Sequence, residues 1–406
     1  MKIRKPVLFL WVIYCCVPGC NNNAEFNKSA NGKLSADIVN NNPGTDTTAL
    51  TAGHKNWTIR DFYSTDSVLL RKVDSLYTVM SINERAAQLI MPGTGISKSF
   101  GLPFPKIVQL YNDGIIGGVL FLKGNRTLFR EEIKKLNQLS ATSKRLPLVF
   151  SCDCEPTIFH RKFTDADSMT AASGLKTISE VSQSASNISH EMKQLGIHWN
   201  FAPVSDVNFN QDIIFNRSFG SDPADVIAKS AAFINASADS NIATTIKHYP
   251  GHGAVTGDSH RQLVYIDSLM SETENFRSII DIANPVSVMV GHIAVRNNKK
   301  FNTGGLPASL SANIISGLLK NTMKFKGIVV TDAMNMRAVK NIPGADYRAI
   351  KAGNDMVVMP QNVELLHQLL VKDLKKKSAL SKELEISIKK VLKLKYCLGL
   401  FAKKGQ

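Results

Sequence analysis

Eight short apolar runs recur along this chain, and a segment long enough for a helix follows each of them. The runs are rich in Val, Ile, Leu and Phe, and they occupy residues 86–92, 116–124, 147–155, 197–207, 242–250, 286–295, 326–335 and 354–362. Apolar runs separated by helix-length segments are typical of parallel strands joined by crossover helices. Eight such units predict an α/β fold, a (β/α)8 TIM barrel that forms a single domain over residues 57–406.

The helical spacing is clearest between the third and fourth runs. There the segment TISEVSQSASNISHEMKQLG predicts a helix that ends at Gly196. Apolar residues recur in it at helical spacing, at Ile178, Val181, Ala185, Ile188 and Met192. A doubly wound open sheet shows the same alternation of strands and helices, so it stays an alternative to the barrel.

The first twenty residues have the order of a bacterial secretory signal. Basic residues precede an apolar run over 7–17, which is too short to span a bilayer as a permanent helix. Gly19 stands before Cys20, which resembles a lipoprotein box and predicts cleavage and lipidation at Cys20. The protein would then be lipid-anchored in the bacterial cell envelope, on the periplasmic side or at the outer membrane. A plain signal peptide or an uncleaved anchor is the alternative.

Residues 21–56 are mostly Asn, Thr, Ala, Gly and Ser, and they predict a disordered tether because they cannot bury enough apolar surface. The formal net charge of +16 comes partly from a Lys-rich region near the C-terminus, where an amphipathic helix would expose its charged face. An exported chain without a nucleic-acid-binding module is not expected to bind nucleic acid. The oligomeric state is not predicted. Buried small side chains are the interpretation of Cys152 and Cys154.

Polar side chains stand at the carboxyl ends of five of the predicted strands. They are Asp153, Asp206, Lys247, His248, His292 and Asp332. Active sites of (β/α)8 barrels lie at this end, where the strands give way to loops. The sequence therefore predicts that these groups converge on one mouth.

The loop KHYPGHGAVTGDSH, from Lys247 to His260, carries several groups that can exchange protons. Asp258 is two residues from His260, so a compact turn lets the carboxylate orient the imidazole for proton transfer. Zinc binding by His248, His252 and His260 is an alternative, although their spacing does not match the helical HExxH arrangement.

Asp332 in KGIVVTDAMNM places a carboxylate at the end of an apolar strand. Retaining glycoside hydrolysis needs one group that attacks the anomeric carbon and another that protonates the leaving oxygen. We expect Asp332 to be the attacking group and the pair of Asp258 and His260 to be the proton donor.

From about residue 82 to residue 401 the chain resembles glycoside hydrolase family 3, in its bacterial β-N-acetylglucosaminidase (β-hexosaminidase) branch. The resembling segments are INERAAQLIMP, GIIGGVLFLKGN, LGIHWNFAPVSDV, IKHYPGHGAVTGDSH, GIVVTDAMNM and LKLKYCLGLF. The resemblance implies a (β/α)8 barrel and removal of terminal β-linked N-acetylglucosamine from peptidoglycan-derived or chitin-type oligosaccharides. It implies no cofactor and no metal.

The resemblance also implies roles for individual residues. Asp332 is implied as the nucleophile that forms a covalent glycosyl-enzyme, and His260 as the general acid/base oriented by Asp258. The residues implied to bind the sugar are Asp153, Arg161, Arg217, Lys247 and His248.

The segment DCEPTIFHR departs from the family pattern Asp-x-Glu-Gly-Gly-Arg. Pro156 and Thr157 replace two glycines and Ile158 replaces an arginine, which predicts a reshaped rim near Asp153. Several activities therefore stay open beside the implied one: a β-glucosidase, a phosphorylase that transfers the sugar to phosphate, a zinc-dependent hydrolase, and a glycan-binding lipoprotein without activity.

Overall fold

The computed structural model describes residues 56–143, 145–210, 214–255, 263–267 and 270–402. The predicted signal peptide with Cys20 and almost all of the predicted tether lie outside the described residues, as do Asp258 and His260. No helix among the described residues is long and apolar enough to cross a membrane.

The strands are short and are separated by helices. They are β1 (Ile90–Met91), β2 (Gly93–Thr94), β3 (Gly118–Phe121), β4 (Val149–Cys152), β5 (Trp199–Asn200), β6 (Ala243–Tyr249), β7 (Val264–Ile266), β8 (Ser287–Val290), β9 (Ile293–Val295), β10 (Ile328–Thr331) and β11 (Val357–Val358). The α-helices are α1 (Ser67–Val79), α2 (Ile82–Ala87), α3 (Phe104–Asn112), α4 (Arg126–Ser143), α5 (Phe159–Lys162), α6 (Ile178–Leu195), α7 (Pro223–Asp239), α8 (Met270–Ala283), α9 (Arg337–Lys340), α10 (Ala345–Ala352), α11 (Val363–Leu374) and α12 (Ala379–Cys397). A π-helix covers Asn313–Thr322.

Seven strands form a curled parallel sheet in the order β10-β8-β6-β5-β4-β3-β2. β1 and β11 form a separate parallel pair, in which Ile90 is opposite Val357. The seven strands are almost fully buried on both faces, as expected where helices cover a parallel sheet. The structure therefore has an α/β fold. Six of the eight predicted runs lie in this sheet in chain order, whereas the first and eighth runs form the separate pair of β1 and β11.

Each of the eight predicted apolar runs contains a parallel strand, but three of them differ from the expectation. The first run begins inside α2, so only its end is extended. The run 197–207 pairs as a strand only at Trp199–Asn200, and its Pro203 has no N–H to donate to a ladder. The run 286–295 is split at Gly291 into β8 and β9, and β9 pairs with β7 outside the main sheet.

The predicted helix between the third and fourth runs is confirmed as α6. Thr177 and Glu180 form a capping box at its start, and Gly196 ends it in the left-handed conformation with φ +80°. The expected apolar face is buried except at Ile178, which is 47% exposed because it occupies the first helical position, beyond the helix's contact with the core.

The expectation for the Lys-rich C-terminal region is wrong at one position. Most lysines of α12 reach solvent, but Lys395 is 0% exposed. Its ammonium donates to the Gln88 side-chain oxygen at 2.6 Å. The expectation of buried cysteines is confirmed, since Cys152 and Cys154 are free and buried, as is Cys397.

Candidate functional site

A cavity of about 960 Å³ lies at the carboxyl ends of the parallel strands. Four of the six predicted polar groups line it, namely Asp153, Lys247, His248 and Asp332. Asp206 and His292 do not line it. Both are 0% exposed and lie behind the cavity wall. The expected convergence therefore holds for four groups, and the other two support them from behind.

Asp153 follows β4 and accepts hydrogen bonds from two lysines. Lys247, on β6, donates to it at 2.8 Å, and Lys162, at the end of α5, donates at 3.2 Å. Burial acts to raise the pKa of Asp153, but the Lys162 and Lys247 ammoniums hold it well below its usual range. Asp153 is therefore an ionised hydrogen-bond acceptor at the cavity wall.

Glu155 is a second carboxylate in this site. It is buried, and it contacts two cations. Arg217 contacts it through two hydrogen bonds of 2.7 and 2.8 Å, and the Lys247 ammonium lies 2.6 Å away. Burial raises the pKa of Glu155, yet Arg217 and Lys247 bring it down to about 2. Arg217, predicted to bind the sugar directly, is thus held in place by a carboxylate.

Glu155 and Lys162 belong to this network although the sequence did not single them out. Glu155 is two residues from Asp153 on an extended segment, and this spacing places both carboxylates on the same face. That signal could have identified Glu155. Lys162 gave no signal beyond its position next to Arg161.

Arg161 lies on α5, where it is exposed and lines the cavity. The altered segment, Pro156–Ile158, is a short 3₁₀ turn before α5 and leads directly into it. The Thr157 hydroxyl donates to the Asn216 carbonyl at 2.7 Å and accepts from the Ala172 amide at 3.0 Å. Thr157 therefore connects the altered segment to the residue that precedes Arg217.

His248 is oriented by Asp206 from behind. The carboxylate accepts from the His248 ring at Nδ1 (2.7 Å) and from the backbone amides of His248 and His252. Burial raises the pKa of Asp206, but His248 and these donors lower it further than burial raises it. His252 lies beside this pair, and burial, together with the nearby His248, lowers its pKa to about 4, which leaves its imidazole neutral.

Asp332 directly follows β10 and lines the cavity. The Ala333 amide donates to its Oδ1 at 2.7 Å. Behind it, His292 Nε2 lies 3.0 Å from the Ala333 carbonyl, which can only accept, so Nε2 carries the hydrogen. The other nitrogen lies 2.7 Å from the Ser309 hydroxyl. His292 thus holds the backbone next to Asp332.

The zinc alternative needs three histidines, of which only His248 and His252 lie among the described residues. Those residues include no group of three or more His, Cys, Asp or Glu side chains that could hold a metal ion. Asp206 already engages His248 Nδ1 at 2.7 Å.

One protein-family model matches most of the chain. The family model described as "Glycosyl hydrolase family 3 N terminal domain" matches residues 81–394. Beta-hexosaminidase A of Pseudoalteromonas piscicida is 30% identical over 284 residues, which cover 63% of this chain and 48% of that protein. Beta-hexosaminidase LpqI of Mycobacterium bovis is 31% identical over 298 residues, with 69% of this chain and 73% of that protein covered. The chain therefore spans about half the length of the first of these relatives.

A solved structure shows the same arrangement of elements. The glycoside hydrolase family 3 β-N-acetylglucosaminidase from Paenibacillus sp. superposes with a TM-score of 0.70 at 25% sequence identity. The superposition covers 81% of this chain and 64% of that one.

Proposed function

The chain belongs to glycoside hydrolase family 3, and from this premise we propose that it is a retaining exo-β-N-acetylglucosaminidase. It removes terminal β-linked N-acetylglucosamine from peptidoglycan-derived or chitin-type oligosaccharides. The observation that carries the proposal is that Asp332 shares one cavity of about 960 Å³ with ionised Asp153 and with Lys247 and His248. Relatives named β-hexosaminidases support the choice of sugar.

In the proposed reaction the Asp332 carboxylate attacks the anomeric carbon of the sugar. The bond from that carbon to the leaving oxygen breaks, and His260, oriented by Asp258, gives that oxygen its proton. His260 then takes a proton from water, whose oxygen attacks the same carbon and releases Asp332. Two displacements at one carbon return the sugar with its original β configuration.

The charged network supports the proposed sugar contacts. Asp153 offers acceptors to sugar hydroxyls, and Lys247 and Arg217 are held by carboxylates, so their donors are positioned before the sugar arrives. A cavity with a few converging polar groups on rigid strands is typical of small-ligand sites. Arg161 is proposed to contact the sugar from α5.

The test is release of an aryl group from an aryl β-N-acetylglucosaminide by the purified full chain in the presence of EDTA. The matched aryl β-glucoside is measured alongside, and NMR identifies the first sugar anomer formed. We expect the acetamido sugar to be turned over and the β anomer to appear first. Turnover that requires added zinc, or glycan binding without turnover, would replace this proposal by one of its alternatives.

Phosphate is a second candidate for the acceptor of the sugar, because the cavity carries unbalanced positive charge. Lys123, Arg161 and Arg337 line it, and none of the three forms an ion pair with a carboxylate in the described part of the chain. Phosphate attracted by these cations would attack the glycosyl-enzyme in place of water. Formation of N-acetylglucosamine 1-phosphate in phosphate buffer tests this candidate, and N-acetylglucosamine as the sole product rejects it.

We further propose that the parallel strands close into an eight-stranded barrel. β11 pairs with β1, and a bridge between Val330 and Met356 connects it towards β10. On the other side the chain continues from β1 through Pro92 into β2, and the Leu120 amide donates to the Pro92 carbonyl at 2.9 Å. An experimental structure with a continuous ladder from β10 through β11 to β3 would establish the barrel.

Lipidation at Cys20 is proposed from the sequence alone. Growth of the producing bacterium with an alkyne-bearing fatty acid should label the protein, and Cys20→Ala should abolish the label and release the protein from membranes. Membrane association that persists in Cys20→Ala without label would indicate an uncleaved anchor.

A further inference from the structure

Two carboxyl groups are buried behind the cavity wall and hold the end of β6 and the residues after it. Asp206 accepts from the amides of His248 (3.0 Å) and His252 (2.9 Å) and from the His248 ring. Glu272, on α8, accepts from the amides of Gly253 (3.1 Å) and Ala254 (2.9 Å). Together they take five N–H donors from residues 248–254.

The fit between this segment and the carboxyl groups leaves no room for additional atoms. A Cβ on Gly251 would lie 2.5 Å from the Glu272 Cβ, and Gly251 has φ +132°, which other residues rarely adopt. A Cβ on Gly253 would lie 1.5 Å from the Val207 carbonyl oxygen. The backbone that follows His248 is therefore packed closely against Glu272 and Val207.

The two carboxyl groups differ in charge. Burial and the negative charge of Asp206 raise the pKa of Glu272 to about 8, so Glu272 holds the proton at neutral pH. Asp206, with three donors aimed at it, stays ionised. An ionised carboxylate can only accept, so the hydrogen bond of 2.7 Å requires that His248 Nδ1 carry a hydrogen.

From this geometry we propose that Asp206 is a positioning residue that presents His248 Nε2 to the sugar as a hydrogen-bond acceptor. When the imidazole carries one hydrogen, Asp206 keeps that hydrogen on Nδ1, so the lone pair is on Nε2, and His248 lines the cavity. His248 then accepts a hydrogen bond from one sugar hydroxyl. This inference rests on the proposed function, in which His248 contacts the sugar, and it adds the direction of that hydrogen bond and the residue that determines it.

Fluorinated substrates distinguish an acceptor from a donor at Nε2, because a C–F group cannot donate a hydrogen bond. Aryl β-N-acetylglucosaminides with fluorine in place of one ring hydroxyl at a time are compared with the parent sugar. His248→Ala identifies the position that His248 contacts, since the loss in kcat/KM caused by fluorine at that position disappears in this variant.

Asp206→Asn then tests the role of the carboxylate. The Asn amide can donate to Nδ1, which moves the hydrogen to Nε2 and turns the acceptor into a donor. We expect kcat/KM for the parent sugar to fall about tenfold or more. Fluorine at the sugar carbon whose hydroxyl contacts His248 should then lower kcat/KM by a correspondingly smaller factor than it does in the wild type. If Asp206→Asn lowers kcat/KM for every substrate by the same factor, Asp206 is only structural and the inference fails.

Asp346→Asn is the matched control. Asp346 is also a buried carboxyl that accepts from a backbone amide, that of Asn362 at 3.1 Å, but it does not line the cavity. We expect this variant to leave the fluorine effects at every position unchanged.

A direct measurement keeps the inference testable if Asp206→Asn does not fold. In the wild-type full chain labelled with ¹⁵N-histidine, two-bond ¹H–¹⁵N correlation reports which ring nitrogen carries hydrogen, and the His248→Ala spectrum assigns the signal. We expect hydrogen on Nδ1 of His248 at neutral pH. Hydrogen on Nε2 would overturn the inference even if the enzyme turns over its substrate, whereas an inactive wild type with hydrogen on Nδ1 would overturn only the proposed function.

Discussion

Lys247 is the residue through which the charges of the cavity are connected. Its side chain is 2% exposed, and its ammonium lies 2.8 Å from Asp153 and 2.6 Å from Glu155. Taking charges out of water costs free energy unless opposite charges compensate them. Lys247 therefore depends on both carboxylates for its own burial, and each carboxylate is compensated in part by Lys247.

Lys247→Met should destabilise the protein strongly, because it leaves the buried Glu155 and the partly buried Asp153 with less compensation. We expect the free energy of unfolding to fall by about 3–5 kcal/mol, measured by urea denaturation. Lys162→Met is the comparison, since the Lys162 side chain is more exposed, at 16%, and pairs with Asp153 alone among the described residues. It should cause a clearly smaller loss. Equal losses would contradict the shared role assigned to Lys247.

Asp332→Asn should abolish turnover while leaving the cavity intact. The amide has the same shape as the carboxylate but cannot attack the anomeric carbon, so kcat should fall by at least ~10³-fold. Calorimetry should still detect binding of N-acetylglucosamine. Asp165→Asn is the control, because Asp165 is an exposed carboxylate ion-paired with Arg126. Activity in Asp332→Asn close to that of this control would remove Asp332 from the mechanism.

Among the elements, the altered segment between β4 and α5 shows how a departure from the family pattern is accommodated. Pro156 suits the first position of the 3₁₀ turn, where its missing N–H is not needed. The Thr157 hydroxyl then joins this turn to the Asn216 carbonyl and the Ala172 amide. The Thr157 side chain therefore connects this segment to its neighbours.

Thr157→Val should therefore loosen Arg217 as well as lower stability. The substitution keeps the shape but removes both hydrogen bonds, and it leaves a buried amide and carbonyl without their partner, at a cost of about 1–3 kcal/mol. We expect a higher KM for the aryl substrate, with kcat less affected. Thr142→Val is the control, since in the described part of the chain the Thr142 hydroxyl donates to the Gln138 and Leu139 carbonyls at the exposed end of α4. A KM unchanged by Thr157→Val would show that the connection does not reach the sugar site.

The strands and helices could be predicted because they follow from local patterns. The apolar runs predicted β3, β4, β6, β8, β10 and β11, and the helical spacing together with Gly196 predicted α6. The extent of β5 was not predicted, although Pro203, which has no N–H to donate to a ladder, was visible in the run 197–207. Nor could the division of the sixth run, since β9 turns away to pair with the distant β7.

For the whole molecule, a buried lysine in α12 makes stability depend on pH, although it is far in the sequence from the predicted catalytic groups. Lys395 is fully buried in α12, and burial lowers its pKa from the ordinary 10.5 to about 7. In the unfolded chain the same ammonium is solvated and keeps its ordinary pKa. At a pH between about 7 and 10.5, the unfolded state therefore binds more protons than the folded state.

Stability should consequently rise with pH between about 7 and 10.5, by at most ~1.4 kcal/mol per pH unit from this residue. Lys395→Met should remove this contribution, so that the variant is more stable than wild type at neutral pH and its stability depends less on pH. Urea denaturation at a series of pH values measures both effects. Lys382→Met, at an exposed position of the same helix, should change neither. A wild-type slope retained in Lys395→Met would contradict the shifted pKa.

The candidate site could be predicted in outline because its strand-end residues are polar in otherwise apolar runs. Asp153, Lys247, His248 and Asp332 are all of this kind. The two-residue spacing from Asp153 pointed to Glu155, but its pairing with Arg217, 62 residues away in the sequence, could not be predicted. Long-range pairing also explains why Lys395 was expected in solvent, since Gln88 is 307 residues distant.

The shared contacts of Lys247 also bear on how this site can change over generations. Asp153, Glu155, Lys247, Lys162 and Arg217 form one connected set of ion pairs. A substitution of Glu155 or Lys247 leaves a buried partner with less compensating charge, so single steps there are selected against even where a double replacement is tolerated. Variation in sugar preference among descendants of this protein should therefore accumulate at rim positions such as Arg161, which has no ion pair among the described residues, while the paired residues are inherited together.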